Sequence, residues 1–268
     1  MTRRIHVCAD DFALDAACTS GILDLFAQGR LSAASCLVES PLWPEAARAA
    51  RAAGIDHDAL GLHFNLTEGL SDDDLPLKKL LLASLAGNIN PAMVAQRLTQ
   101  QLDRFEQYWG NAPAHVDGHQ HVHVLPGIRE VVLDVLQQRY RQTLPRLRSI
   151  YPLARATDAA WKRRLLALLG TGFGKEASNL GFPLNNGFAG VYSLSADADY
   201  PCLLANWLQH SEDGMELMCH PAKGMASSHA AARQQEYDYL ASPVFTDLMG
   251  CLDVEIATPS LLPAFAVI

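Results

Sequence analysis

Three short stretches concentrate the residue types that bind metal ions and move protons: Cys8-Ala9-Asp10-Asp11-Phe12, Gly61-Leu62-His63-Phe64-Asn65, and the run from His115 to His123. Together they offer a mixed oxygen and nitrogen donor set that suits zinc, iron, manganese, cobalt or nickel. One carboxylate with two imidazoles leaves coordination positions open for water and substrate, which marks a catalytic ion and not a structural one. Taken singly, two of the stretches have plainer explanations. An aspartate pair at a strand end often only caps a turn, and a histidine such as His63 in an apolar strand is usually a hydrogen-bonded core residue. The third stretch resists that explanation, because four imidazoles and Asp117 within nine residues are costly to bury and odd to expose without a role. In an extended chain His119, His121 and His123 share one face, whereas in a helix His119 and His123 pair. One ion cannot take all of them with good geometry, so some must support the ligands or meet substrate. Asp117 is placed to accept an imidazole N–H and fix its tautomer. A fourth run, Met215 to Pro221, ends in His220, a candidate proton donor whose alternative is an ordinary loop histidine before proline.

Each stretch falls at the end of a β-like run, and these runs alternate with helical patterns as in βα units around a mainly parallel sheet. Strands are expected over Arg4–Ala9, Ala33–Val38, Ala59–Leu66, Ala114–Asp117, Arg146–Ile150, Met215–Cys219 and Asp253–Ala257. Helices are expected from Ala17 to Gln28, with Gly29 as a left-handed cap, from the Ser40-Pro41 start to about Ala53, and from Asn90-Pro91 to Trp109. Others open at Pro126, span Trp161–Leu169, and run from about Ser228 to Leu240. The polar loop Thr67–Asp74 is long enough to overhang a site, and the Gly/Asn-rich stretch Gly170–Asn186 reads as irregular. Strand ends in parallel α/β folds point into one crevice, so the motifs agree with a single site.

The chain has 268 residues, 49% hydrophobic and 19% charged, which suits one core and excludes disordered or fibrous architectures. We expect one domain over residues 1–268, an α/β chain with a (β/α)-barrel-like fold, irregular or incomplete. The net charge of −8 disfavours nucleic acid as a partner. Six cysteines in no metal-ligand spacing read as reduced, buried thiols. The N-terminus lacks the form of a signal sequence, and no uncharged run approaches the ~20 residues needed to span a bilayer. A soluble cytoplasmic protein without stable membrane insertion is expected.

The motifs together resemble the YdjC-like (ChbG/HpnK) carbohydrate deacetylases over nearly the whole chain. The resemblance rests on Ala-Asp-Asp-Phe at Ala9–Phe12, Gly-Leu-His-Phe-Asn-Leu-Thr at Gly61–Thr67, the His-x-Asp-Gly-His-Gln-His-Val-His block at His115–His123, and Cys219-His220-Pro221 followed by Glu236-Tyr237 and Leu240. It implies a metal-dependent deacetylase of N-acetylated sugars, with Asp11, His63 and His119 as ligands, Asp10 as catalytic base, and a homodimer as the assembly. Asn65, Asp117, His121, His123 and, on a looser match, Arg148 are expected to support the ligands or meet substrate. The cofactor expected is one divalent ion, zinc or magnesium foremost, with manganese, cobalt and nickel compatible. One departure stands out: the family's Ala-Asp-Asp-Phe-Gly has Ala13 in place of the glycine, which strains the turn if φ there is positive.

Neighbouring residues on a regular strand face opposite ways, so Asp10 and Asp11 reach one site only if the strand has broken by that point. The competing functions are another metallohydrolase, cleaving a phosphoester or cyclic amide, and a non-catalytic sugar-binding protein of the same fold.

Overall fold

The computed structural model describes residues 2–258. Its strands are β1 (Arg3–Phe12), β2 (Ala33–Cys36), β3 (Leu60–Phe64), β4 (His115–Gly118), β5 (Arg146–Leu147), β6 (Phe188–Ala189), β7 (Glu216–Cys219) and β8 (Val254–Ile256). Its helices are α1 (Ala16–Ala27), α2 (Trp43–Ala52), α3 (Leu77–Leu85), α4 (Pro91–Trp109), α5 (Arg129–Arg139), α6 (Ala160–Asn179), α7 (Tyr200–Gln209), α8 (Ala230–Ala241) and α9 (Pro243–Cys251). Seven strands pair in the order β5-β4-β3-β2-β1-β7-β6, every pair parallel, and β8 adds to the N-terminal half of β1. The sheet curls into an incomplete (β/α)-barrel. Instead of pairing with each other, β5 and β6 carry isolated bridges to the segments between them, Leu147 to Leu184 and Leu153 to Phe188.

Helices cover the sheet, so β1 is buried continuously from Ile5 to Phe12 instead of alternating. Trp43 of α2 stacks on Phe105 of α4 at 5.5 Å and meets Phe12 edge-on at 6.5 Å. That packing pins the end of β1, where the aspartate pair stands. The helix Pro91–Trp109 forms as its sequence predicts: the Asn90 side chain accepts from the N–H groups of Ala92 and Met93, and Gly110 closes it at φ 91°.

Several expectations need correction. The second helix starts at Trp43 and not at Pro41, because Ser40 spends its hydroxyl on the Leu42 N–H in a turn and Pro44 takes the early helical position. The helix expected from Pro126 begins at Arg129, and β5 stops at Leu147. The helix expected to end at Leu169 runs on to Asn179 through Gly170, Gly172 and Gly174. A β-carbon there would meet Ile150 at 2.5 Å, Arg129 at 2.6 Å and Ser149 at 3.3 Å, so these glycines serve close packing of a helix and not a loop. Helices α3, α7 and α9 and strand β6 had no expectation. Four cysteines are buried free thiols, but Cys202 and Cys251 are exposed. Among the described residues no helix is long and apolar enough to cross a membrane.

Candidate metal and catalytic site

The strand β1 carries its break where the chemistry requires it. Ala9 pairs with Ala34, yet Phe12 pairs with Cys36, so β1 holds one residue more than β2 between those points. The extra residue is accommodated by Asp11 at φ 65°, a left-handed conformation that aspartate adopts more readily than most residues. Both aspartates thereby face the same side. Ala13 also sits at positive φ, 74°, and is fully buried, so this chain bears with alanine a backbone strain that glycine would avoid.

Around this bulge Asp11, His63 and His119 converge. His119 Nδ1 lies 3.1 Å from Asp11 Oδ1 and 3.3 Å from His63 Nε2, and His63 Nε2 lies 3.4 Å from the same Asp11 oxygen. All three side chains are buried. An ion about 2.1 Å from each donor, at angles between octahedral and tetrahedral, requires donor separations of about 3.0–3.4 Å, so the trio fits a divalent cation. His63 Nδ1 donates to Asp117 Oδ1 at 2.6 Å, which leaves its Nε2 lone pair facing the trio. Asp117 in turn accepts from Ser35 Oγ at 2.6 Å and pairs with Arg148 at 2.7 Å.

The electrostatics favour a cation here. Burial alone pushes the Asp11 carboxyl up, but hydrogen bonds from His119 and His63 and the Arg233 guanidinium outweigh it and hold it well below the usual carboxylate range. Burial opposes charging His63, yet Asp117 and Asp10, with hydrogen bonds to Asp11 and Asp117, raise it to about 10. Burial likewise opposes charging His119, and contacts with Asp11 and Glu68 raise it to about 9. Without a metal, protons satisfy the field of these carboxylates.

Asp10 stands beside the trio, its Oδ2 3.8 Å from His63 Nε2. Arg148 grips both its oxygens at 2.7 Å and also bonds Glu216 through Nε at 2.5 Å. The register pairs Ala9 with Cys219, so His220 follows the end of β7 as Asp10 follows Ala9 on β1. The His220 main-chain N–H donates to Glu236 at 2.5 Å, while its Nδ1 has no hydrogen-bond partner and lies 3.9 Å from the same carboxylate.

The histidine block is neither a strand nor a helix throughout. Gly118 is followed by a tight turn over His119–Val124 in which Gln120 and His121 have φ of 53° and 60°, so the three imidazoles diverge. Only His119 joins the trio. His121 and Phe188 meet in a T-shaped arrangement at 5.6 Å, and the Phe188 ring also lies under the Arg148 guanidinium. His123 Nε2 donates to the Arg148 carbonyl at 3.0 Å and, because burial dominates, is held down at about 4. Asn65 stays outside the trio: its Oδ1 accepts from the Thr67 and Glu68 N–H groups and its Nδ2 donates to Glu39 and Asp74.

Sequence reasoning missed Glu68, Arg233 and the buried partners Ser35 and Glu216. Arg233 Nη2 donates to Asp11 Oδ2 at 2.5 Å, and Glu236, one turn further along α8, holds His220 and accepts from Tyr192. The signal was present: Arg233 and Glu236 interrupt the buried stripe of Ala232, Tyr237 and Leu240 on one helix face.

Comparison with known proteins agrees with this architecture. The sequence profile described as YdjC-like protein matches residues 4–250. A carbohydrate deacetylase of Mus musculus is 38% identical over 149 residues, covering 50% of this chain and 47% of that protein. This chain thus spans about half the length of that relative. A chitooligosaccharide deacetylase of Yersinia enterocolitica is 30% identical over 265 residues, covering 91% of this chain and 92% of that protein. Among solved structures, an Enterococcus faecalis V583 protein described as a candidate for cellobiose-phosphate cleavage superposes with a TM-score of 0.71 at 20% identity, covering 97% of this chain and 98% of that one. A peptidoglycan N-acetylglucosamine deacetylase gives 0.55 at 15% identity, covering 98% and 89%, and shares the fold. With its motifs on one crevice and the profile matched over nearly its whole length, the chain belongs to the YdjC-like family.

Proposed function

We propose that this protein is a metal-dependent hydrolase that removes acetyl groups from N-acetylated sugars, with Asp11, His63 and His119 as metal ligands, Asp10 as base and His220 as acid. The observation that carries the proposal is the triangle of donor atoms, 3.1, 3.3 and 3.4 Å on its sides, with the Arg148-held carboxylate of Asp10 beside it. The names of the relatives support the choice of substrate class. Two imidazoles in the ligand set favour zinc-like ions over magnesium.

Held by Asp11, His63 and His119, a divalent cation would supply Lewis-acid polarisation of an acetamide carbonyl and would lower the pKa of water toward about 7. The chain's own groups then handle protons and position. Arg148 fixes both oxygens of Asp10, so the carboxylate presents one orientation to the water whose proton it takes. Asp117 keeps His63 in the tautomer that faces the trio, and Arg233 holds the outer oxygen of Asp11. The departing amine needs a proton, and His220, which follows the end of β7 with its main chain held by Glu236, is the group assigned to give it. Acetate and the free amino sugar are the products.

The test is acetate release from an N-acetylglucosamine oligosaccharide before and after chelation. We expect release to stop on chelation and return with added divalent metal, and His63→Ala or His119→Ala to lose bound metal. Full turnover by the stripped protein would refute the proposal. Release of phosphate from a phosphoester, with no acetate released, would point to a different hydrolysis at the same residues.

A further inference from the structure

We propose that Glu68 is a positioning residue that sets the tautomer and orientation of His119 from a loop outside the barrel. The inference rests on the metal-site reading above and deepens it. A neutral imidazole carries one N–H, and a ligand nitrogen needs its lone pair, so the far nitrogen must hold the proton. For His63 the far nitrogen meets Asp117, which is fully buried on β4. For His119 the far nitrogen is Nε2, and the charged group against it is Glu68 Oε2 at 2.7 Å, an ion-pair contact off the line of a hydrogen bond that a small turn of the Glu68 side chain would align. Each imidazole of the trio thus has its own carboxylate, one built into the sheet and one brought by a loop.

The loop is held in place by a set of hydrogen bonds. Asn65 Oδ1 accepts from the N–H groups of Thr67 and Glu68, both at 2.9 Å, which fixes the main chain at Glu68 itself. Asp74 Oδ2 accepts from the N–H groups of Gly69 and Leu70 at 3.0 and 3.1 Å and from Asn65 Nδ2 at 2.8 Å. The buried Arg97 ties Asp74 and Glu39 together at 2.7 and 2.8 Å. On its outer side the loop borders an open cavity of about 450 Å³, lined by Glu39, Leu70, Asp72, Gln100 and Arg104 among others. The Glu68 side chain is 24% exposed against 10% or less for the trio, so it is the contact around the ligands most open to solvent.

The experiment uses Co(II) as probe on metal-free full-length protein, with affinity read by competition against a chromophoric chelator and geometry read from the visible absorption bands. Glu68→Ala is expected to weaken Co(II) binding about 10- to 100-fold and to alter the bands. Glu68→Gln, which keeps an acceptor oxygen at the same reach, is expected to fall between the two and retain the wild-type bands. Wild-type affinity and bands in Glu68→Ala would overturn the assignment, as would a Glu68→Gln variant no better than alanine. A wild-type protein that binds no Co(II) would refute the metal site itself and not the role of Glu68 alone.

Discussion

Replacing Arg148 by methionine tests how the base is held. Arg148 is 1% exposed and touches three carboxylates, on Asp10, Asp117 and Glu216. Removing it does not strand all three. Asp117 keeps Ser35 and His63, and Glu216 keeps Arg146 at 3.1 Å, but Asp10 is left with His63 at 3.8 Å as its nearest cation. One uncompensated buried carboxylate costs about 3 kcal/mol, the low end for a broken buried pair. For a chain of this size that is about 6–12 °C in melting temperature. Calorimetric melts of the metal-free protein at pH 7 should show this loss, and Asp10→Asn added to Arg148→Met should recover part of it by removing the stranded charge. A melting point within about 2 °C of wild type, or no recovery in the double variant, would refute the reasoning.

Other outcomes follow from the same geometry. In Ala13→Gly, relief of ~1–2 kcal/mol of left-handed strain is offset by a lost buried methyl, ~0.8 kcal/mol, and by added unfolded-state freedom, ~0.4–1 kcal/mol. Its stability should stay within about 1 kcal/mol of wild type, and a larger change in a denaturant melt would contradict that sum. His6, His115 and His123, each lowered to about 4 chiefly by burial, contribute stability that is present above their ordinary 6.5 and lost as pH falls toward 4. His63 and His119, raised to about 10 and about 9, contribute stability that is present below 6.5 and lost as pH rises through those values. The chelator-treated protein should therefore be most stable near pH 6.5, and bound divalent metal should flatten the alkaline limb; an unchanged limb in melts across pH 6–10 would contradict this. His220→Gln should keep its metal content while turnover drops by about 10²–10⁴, and unchanged turnover would remove His220 from the acid role.

The sequence made the site's raw materials readable and hid how they meet. Strand-end placement of Asp10, His63, His119 and His220 followed from apolar runs stopping at polar residues, a pattern the parallel sheet preserves. The bulge at Asp11 left no such mark, because an aspartate in left-handed conformation looks in sequence like any other aspartate. Spacing could not choose among His119, His121 and His123 either, since the two positive-φ residues between Gly118 and Val122 abolish both the two-residue and the helical periodicity. Arg233 reaches Asp11 across 222 positions, a contact that no local pattern encodes. The glycines of α6 misled because their missing side chains answer to neighbours on other elements, Ile150 and Arg129.

The pairing of Ala9 with Cys219 sets a main-chain spacing at the crevice. The two groups assigned to proton transfer follow those partners on adjacent main chains about 4.8 Å apart, a spacing that hydrogen bonding between peptide units dictates. A slip of one residue between the two strands would turn one group to the opposite face and leave the other in place. Changes in the segments beyond the strand ends can thereby alter what the crevice admits without moving these two strands.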